Sequence, residues 1–190
     1  KYKPLNQTKD MIPSKEKCFE LLKKYRVPEN IVAHTLEVNR VAMFLAKKLK
    51  EKGEEIDLRL VDAASLLHDL DKHMTLNEDS GHGKKAAEIL ESLGFAEVAP
   101  IVRKHITTAV LHSPLKTWEE KLVYYADMRV KGNKIVTVEE RFEYLRERYG
   151  KMSEKAMREI NKAEPIVKEI EKEILSKAGV SEKLEGIDIN

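Results

Sequence analysis

The amino-acid sequence predicts an all-α protein, and three observations support that prediction. Apolar residues recur at spacings of three and four along nearly the whole chain of 190 residues, which is the period of one face of an α-helix. Two Thr-x-x-Glu sequences, at Thr117 and Thr137, match the capping box that opens helices. Isolated glycines end several of the periodic stretches. We therefore expect a bundle of about six core helices within residues 14–130 and a C-terminal helical extension over residues 137–178.

Each predicted helix begins or ends at a local signal. Ser14 and Asp57 are suited to cap a helix, because their side chains accept hydrogen bonds from the free N–H groups of the first turn. Pro28 suits the first turn of the second helix. Gly53 and Gly94 follow the last periodic residues of two stretches. The predicted helices span residues 14–26, 28–52, 57–70, 82–93, 96–112, 117–128, 137–149 and 153–178.

Three features interrupt this helical pattern. Residues 71–81 are polar and predict a loop, and residues 130–136, with their Gly-Asn dipeptide, predict a turn. Pro165 lies inside the last helical stretch and should kink or split it, because proline lacks an N–H group and clashes with the preceding turn. We expect the amphipathic C-terminal helices to pack on their own domain, with a homodimer interface as the alternative.

The composition bounds the environment of the protein. No apolar run approaches the 18 residues of a membrane span, and no apolar segment near the N-terminus indicates a secretory signal. Cys18 is the only cysteine, so an internal disulfide is excluded. These features predict a cytoplasmic protein, although a start at Lys1 leaves a removed targeting segment open.

The charge balance bounds the partners. Lys and Arg total 35 against 33 Asp and Glu, and this net charge of +2 lacks the basic excess of a protein that binds a nucleic-acid polymer. A local basic pocket stays possible. Lys and Glu are abundant and Gln7 is the only glutamine, a bias that suggests a thermophilic source as a hypothesis.

Six ionisable residues fall on inward faces or at the inner ends of successive predicted helices: His34, His68, Asp69, His82, His105 and Asp127. Each alone has an ordinary explanation, such as a core histidine satisfied by one hydrogen bond. Together they place more charge in the interior than the few Lys and Arg residues of the same stripes can pair. Buried charge must be paired or must bind a metal. Mixed imidazole and carboxylate ligands suit Mn, Fe, Co, Ni or Zn better than Ca.

The order of these residues resembles the motif of the HD superfamily of metal-dependent phosphohydrolases. The run 68–72, His-Asp-Leu-Asp-Lys, is similar to the superfamily's His-Asp-Ile-Gly-Lys variant. The run 82–90, His-Gly-Lys-Lys-Ala-Ala-Glu-Ile-Leu, is similar to its next histidine segment, and residues 101–105 resemble the histidine-bearing helix that follows. The resemblance covers roughly residues 30–130 and leaves the tail from 137 outside it.

The resemblance implies an HD-domain helical bundle that binds one or two divalent transition metal ions. A first ion would be held by His34, His68, Asp69 and Asp127, and a second by His82 and His105 with Asp69 bridging. The implied reaction is hydrolysis of a phosphoester or phosphoanhydride in a small substrate, foremost a nucleotide, by a metal-activated hydroxide.

The resemblance also bears on substrate contacts. Asp69 and Lys72 would be the catalytic residues, and Lys72, which matches the family's lysine, would contact a phosphate. Arg103, Lys104 and Arg129 stand near predicted ligands and are weaker phosphate candidates; for each of them a solvated surface charge is the ordinary alternative.

Four residues depart from or fall outside the motif. Asp71 stands where the pattern usually has glycine, and is either a partner of a ligand histidine or a helix-end residue. Ile106 follows His105 where several subfamilies carry a second histidine, which puts a third metal in doubt. His73 and His112 fit no ligand position.

Two other functions stay open at the level of the sequence. Some HD-fold proteins bind two irons and activate dioxygen, and the same six ligands could serve a di-iron oxygenase. The protein could also be a non-catalytic nucleotide-binding HD protein, although its complete ligand set argues against that role.

Overall fold

The computed structural model describes residues 11–75 and 82–187, and the regular secondary structure of the described chain is almost entirely helical, which confirms the predicted all-α class. The sequence prediction for residues 76–81 of the loop lies outside the described residues. The described helices are α1 (Lys15–Lys24), α2 (Glu29–Glu51), α3 (Leu58–Leu67), α4 (Lys84–Ser92), α5 (Ala99–Arg103), α6 (Trp118–Met128), α7 (Val138–Arg148) and α8 (Glu154–Ala178). Short 3-10 turns occupy Lys72–Met74, Ala109–Leu111 and Gly150–Met152, and a hairpin pairs β1 (Val130–Lys131) with β2 (Lys134–Ile135).

Helix α2 is the central element of the bundle. It packs against α3, α6 and α8, and it also touches both hairpin strands. Its buried residues, Val38, Val41, Ala42 and Leu45, follow the spacing of three and four that predicted this helix, and none of them has measurable exposure. Burial of this apolar face is the main force that holds the bundle together.

The predicted helix starts are confirmed where a capping residue was recognised. Thr117 and Thr137 each accept a hydrogen bond from the backbone N–H three residues later, and the carboxylates of Glu120 and Glu140 accept one from the backbone N–H of the capping threonine, so both capping boxes are present. The Asp57 side chain likewise accepts from the first N–H groups of α3.

The prediction of a single helix over residues 96–112 is wrong. Helix α5 ends at Arg103, and the next regular turn is the short 3-10 turn at 109–111. The chain leaves the helix because hydrogen bonds from side chains to backbone carbonyls replace part of the helical pattern. The Nδ1–H of His105 donates to the Val102 carbonyl at 2.6 Å, and the Tyr124 hydroxyl donates to the Thr107 carbonyl at 2.6 Å.

The predicted split at Pro165 does not occur, since α8 continues through this residue. Its buried face, with Ile160 and Ala163 before the proline and Val167 after it, packs on α2, α6 and α7. Burial along this face offsets the loss of one backbone hydrogen bond. The C-terminal extension therefore rests on the core helices.

Among the described residues, no helix is both long and apolar enough to cross a membrane.

The packing of α7 against the core gives a stability prediction. Phe142 of α7 has no exposed surface, so Phe142→Ala should lower the free energy of unfolding by about 3–5 kcal/mol through the cavity that it leaves. Urea unfolding followed by circular dichroism, with a chelator present, measures the change. Leu36→Ala is the control, because Leu36 is 42% exposed. Equal stability of the two variants would contradict a core position for α7.

Candidate metal centre

The structure brings all six predicted ligand residues together, and most of them come from helix ends. His34 projects from α2, His68 and Asp69 directly follow α3, and Asp127 is the penultimate residue of α6. His82 precedes α4 and His105 follows α5. We call these six residues the His/Asp cluster. They form two groups, in each of which the candidate ligand atoms lie within 4.8 Å of one another: His34, His68 and Asp127; Asp69, His82 and His105.

The His-Gly dipeptide that opens α4 has a steric explanation. Gly83 has φ +77°, in the left-handed region that favours glycine. A Cβ at Gly83 would lie 3.2 Å from Cε1 of His105 and 3.3 Å from the Ile106 side chain. Glycine at this position therefore lets His82 and His105 approach each other, with their ring centroids 4.8 Å apart.

The four histidines of the cluster share one orientation. In each ring Nδ1 has a hydrogen-bond acceptor outside the cluster, and Nε2 faces inward. The acceptors and Nδ1 distances are the Gly132 carbonyl for His34 (2.7 Å), the Ser65 carbonyl for His68 (2.7 Å), Asp71 Oδ1 for His82 (2.8 Å) and the Val102 carbonyl for His105 (2.6 Å). The sequence predicted a turn at Gly132 and gave no sign that its carbonyl orients His34.

The inward atoms of the cluster lie so close together that a proton or a metal ion must separate their lone pairs. Nε2 of His34 is 3.0 Å from Asp127 Oδ1, and Nε2 of His82 is 3.0 Å from both Asp69 Oδ1 and Nε2 of His105. Between neutral imidazoles and ionised carboxylates, neither side of such a contact can donate a hydrogen bond. Two ligands at right angles on one ion, each about 2.1 Å away, would stand about 3 Å apart. The separations therefore fit metal ligands.

Two buried atoms of the cluster lack a hydrogen-bond partner altogether: Nε2 of His68 and Oδ1 of Asp69. Burial lowers the pKa of His68 to about 4, so this imidazole is neutral at pH 7 and its inward nitrogen carries a lone pair. A buried polar atom without a partner is costly, and a bound cation would remove that cost.

Asp69 lies between the two groups and faces both. Its Oδ2 is 3.6 Å from Nε2 of His68 and 3.7 Å from Nε2 of His34, whereas its Oδ1 is 3.0 Å from His82 and 3.5 Å from His105. Burial opposes ionisation of this carboxyl, but His68 and the neighbouring lysine hold its pKa well below the usual range. Asp69 therefore has the position and the charge of a carboxylate that serves two ions.

Asp71 is a hydrogen-bond partner of a candidate ligand histidine, one of the two roles left open by the sequence. It is fully buried, its Oδ1 accepts from His82, and its Oδ2 accepts from the Ala86 N–H at 2.8 Å. Burial opposes the charged form of His82, but the neighbouring carboxylates of Asp69 and Asp71 raise its pKa to about 9. Metal binding at His82 therefore competes with a proton.

The predicted phosphate contacts divide into two sets. Lys72 lies at the cluster, where its Nζ donates to Asp69 Oδ2 at 2.6 Å. Arg103 instead pairs at the surface with Glu91, and Lys104 pairs with Glu120. The structure also places Arg129 elsewhere, contrary to the sequence prediction. Its buried guanidinium donates to the Val136 and Glu182 carbonyls, the Tyr125 hydroxyl and Glu171.

The remaining histidines lie outside the cluster, as expected. His73 Nε2 donates to the Tyr25 carbonyl at 3.0 Å, and His112 is exposed beyond the short turn at 109–111.

A cavity of about 610 Å³ opens directly onto the cluster. Its lining residues are Lys72, His82, His105, Ile106, Thr107, Thr108, Asp127, Arg141, Leu145, Tyr149, Met152, Ala156, Glu159 and Ile160. Half of these residues come from the C-terminal extension. Arg141 is the functional candidate that sequence reasoning missed. The available signal was an arginine on the apolar stripe of α7, spaced with Val138, Phe142 and Leu145.

A helical bundle with a buried, two-part His/Asp cluster at a cavity defines a protein built to bind divalent metal ions. The chain belongs to the HD superfamily of metal-dependent phosphohydrolases, since the HD domain model matches residues 31–182. Domains of this family bind divalent metals. The matched range includes α7 and α8, which the resemblance found in the sequence left outside.

Comparison with curated proteins gives relatives of two kinds. The chain is 37% identical over 149 residues to an uncharacterized protein of Methanocaldococcus jannaschii, covering 72% of this chain and 86% of that protein. It is 31% identical over 152 residues to a tRNA (cytidine(56)-2'-O)-methyltransferase of Picrophilus torridus, covering 72% of this chain and 42% of that protein. A protein of the same name from Thermoplasma volcanium is 30% identical over 137 residues, covering 65% and 38%. The match thus spans less than half of each methyltransferase. No solved structure gives a significant match.

The cluster predicts metal content. Elemental analysis of the purified protein, after chelation and reloading with Mn, Fe, Co, Ni or Zn, should find about two ions per chain, as in other paired-metal sites. His82→Ala should lose at least one ion, because it removes a ligand from one group. His112→Ala is the control and should keep both, because His112 lies outside the cluster. Unchanged metal content in His82→Ala would contradict the assignment of this residue.

The role of Asp71 gives a separate prediction. Asp71→Asn keeps the size of the side chain but leaves one acceptor oxygen, so either His82 or the Ala86 N–H loses its partner. Metal affinity should fall about 10- to 100-fold, as is typical when a partner of a ligand histidine is lost. Competition with a chromogenic chelator measures the affinity. Glu88→Gln, an exposed change on α4, should behave as the wild type, and an equally tight Asp71→Asn would refute the role.

Proposed function

We propose that this protein is a metal-dependent hydrolase that cleaves a phosphoester or phosphoanhydride bond in a small nucleotide. The observation that carries the proposal is the position of Asp69. This buried carboxylate faces both ligand groups and also accepts a hydrogen bond from Lys72, which lines a cavity large enough for a nucleotide. A cation beside a paired ligand set is suited to a phosphorylated substrate.

The residues have distinct roles in this proposal. The two ions would be held by His34, His68 and Asp127 in one group and by His82 and His105 in the other, with Asp69 shared. When bound, such ions lower the pKa of water and offset charge on a phosphoryl group. Lys72 would bind a phosphate oxygen. Burial disfavours its charged form, but Asp69 and Asp127 raise the pKa of Lys72, so it carries its proton at neutral pH.

The lining of the cavity supports a nucleotide over a bare phosphate. Ile106, Leu145 and Ile160 make part of it apolar, and Tyr149 and Met152 stand at its rim with 40% and 76% of their surface exposed. Exposed large apolar side chains beside a polar pocket are typical of ligand sites. The same lining carries hydrogen-bonding groups suited to a ribose or a base edge: Thr107, Thr108 and Glu159.

The names of the methyltransferase relatives widen the range of substrates worth testing. The match covers less than half of each of those proteins, so we do not extend their methyl transfer to this chain. Their names do concern tRNA. Short RNA oligonucleotides with a phosphorylated end therefore belong in the screen beside mononucleotides, dinucleotides and dinucleoside polyphosphates.

The hydrolase proposal predicts metal-dependent release of phosphate or nucleoside phosphate from at least one of these compounds. Chromatography of the reaction products, with protein loaded separately with Mn, Fe, Co, Ni or Zn, detects the reaction. Asp69→Ala should reduce the rate to background, because both ligand groups lose a member. Lys72→Met should lower kcat/KM about 10- to 100-fold, the usual cost of a charged hydrogen bond. His112→Ala is the control with unchanged activity.

Other outcomes would favour the alternatives. Consumption of dioxygen by the iron-loaded protein, without hydrolysis, would favour the oxygenase. Tight nucleotide binding without turnover under any metal would favour a non-catalytic binding protein.

A further inference from the structure

Arg141 is a cationic side chain on the wall of the cavity, and neither the motif nor the ligand set accounts for it. It lies on α7, in the C-terminal extension, and only 9% of its surface is exposed. It lines the same cavity as Lys72 and the cluster residues His82, His105 and Asp127.

The guanidinium of Arg141 has donors that no protein atom uses. Its Nε is buried and has no hydrogen-bond partner. Its Nη2 is 3.7 Å from Asp127 Oδ1, which is close enough for charge attraction and too long for a hydrogen bond. Burying a guanidinium with unused N–H groups is costly, so the position predicts an acceptor that arrives from outside the chain.

Arg129 is an internal comparison, because it is also a buried arginine. Its Nε donates to the Val136 carbonyl at 2.7 Å, and its Nη2 donates to the Glu182 carbonyl at 2.7 Å. The N–H groups of Arg129 are therefore used in hydrogen bonds to other parts of the protein. Arg141, with unused donors on a cavity wall, is arranged like a ligand-binding residue.

The two cations at the cavity occupy matching positions. Lys72 contacts Asp69, and Arg141 lies beside Asp127, so each cation stands next to a different carboxylate of the cluster. A phosphate bound between the two cations would add a third negatively charged group beside the two carboxylates. The planar guanidinium presents paired N–H groups that match two phosphate oxygens, whereas lysine acts as a point charge.

We propose that Arg141 binds a phosphate group of the substrate, so that the C-terminal extension supplies part of the substrate site. This inference rests on the proposed function, since the phosphate is the part of the substrate at issue. The competing explanation is that Arg141 only holds Asp127 in place by charge. If that explanation were correct, removing the charge of Arg141 would weaken metal binding. Phosphate affinity at full metal content would not change.

The experiment measures binding of inorganic phosphate to Mn-loaded protein by calorimetry, with metal content determined on the same samples. The variants are Arg141→Met, which removes the charge, and Arg141→Lys, which keeps the charge but loses the paired donors. Arg146→Met is the matched control on the same helix, because Arg146 pairs with Glu164 at 2.6 Å and does not line the cavity.

We expect Arg141→Met to bind phosphate about 10- to 100-fold more weakly with unchanged manganese content, and Arg141→Lys to fall between it and the wild type. Arg146→Met should match the wild type. Phosphate affinity within about twofold of the wild type in both Arg141 variants would overturn the inference, as would a wild type that binds no phosphate. If Arg141→Met loses manganese, the comparison rests on metal-replete Arg141→Lys, whose unchanged phosphate affinity would equally overturn it.

Failure here is distinguishable from failure of the proposed function. A wild type that hydrolyses a nucleotide, with an Arg141→Lys variant of unchanged phosphate affinity, would remove only the role of Arg141. A wild type that binds phosphate through Arg141 and hydrolyses nothing in the screen would remove only the hydrolase.

Discussion

The structure depends on one electrostatic constraint: three nearly inaccessible aspartates share a small volume inside a helical bundle. Asp69, Asp71 and Asp127 are at most 6% exposed. Carboxylates in such a setting need a cation or hydrogen-bond donors to offset the loss of water. Asp71 obtains two donors from the protein, one for each oxygen. Asp69 accepts from Lys72 at Oδ2 only, and its Oδ1, like Oδ1 of Asp127, faces imidazole nitrogens that lack protons when neutral. This difference separates the carboxylate that orients a ligand from the two that are suited to be ligands.

The positions of the helix ends beside the cluster follow from the same electrostatic constraint. A histidine in mid-helix has its backbone groups committed, and its ring direction is limited by the neighbouring turns. Residues just outside a helix have more freedom, and His68, His82 and His105 all lie there. The early end of α5 is one consequence. Beyond this end the Val102 carbonyl accepts from Nδ1 of His105, which turns Nε2 toward the cluster.

The C-terminal helices connect the His/Asp cluster to the rest of the molecule. Helix α8 packs on α2 and α6, which carry His34 and Asp127, and α7 brings Arg141 to the cavity. The hairpin between α6 and α7 places the Gly132 carbonyl at 2.7 Å from Nδ1 of His34. The hairpin, which lies outside the motif recognised in the sequence, thus orients one candidate ligand. Helix α7, which also lies outside it, forms part of the cavity lining. The match of the family model to residues 31–182 agrees with this integration.

The sequence by itself determined the helical class, the capped helix starts and the identity of the six clustered residues. These follow from local periodicity, from capping chemistry and from ionisable side chains on apolar faces, all of which are visible in short stretches of chain. The tertiary structure alone decided the early end of α5, the continuity of α8 through Pro165 and the positions of the arginines. Arg129 and Arg141 look alike in sequence, yet one bonds to the C-terminal segment and the other lines the cavity. That choice depends on which distant groups lie within hydrogen-bond reach, and contacts of that kind form only when the helices pack.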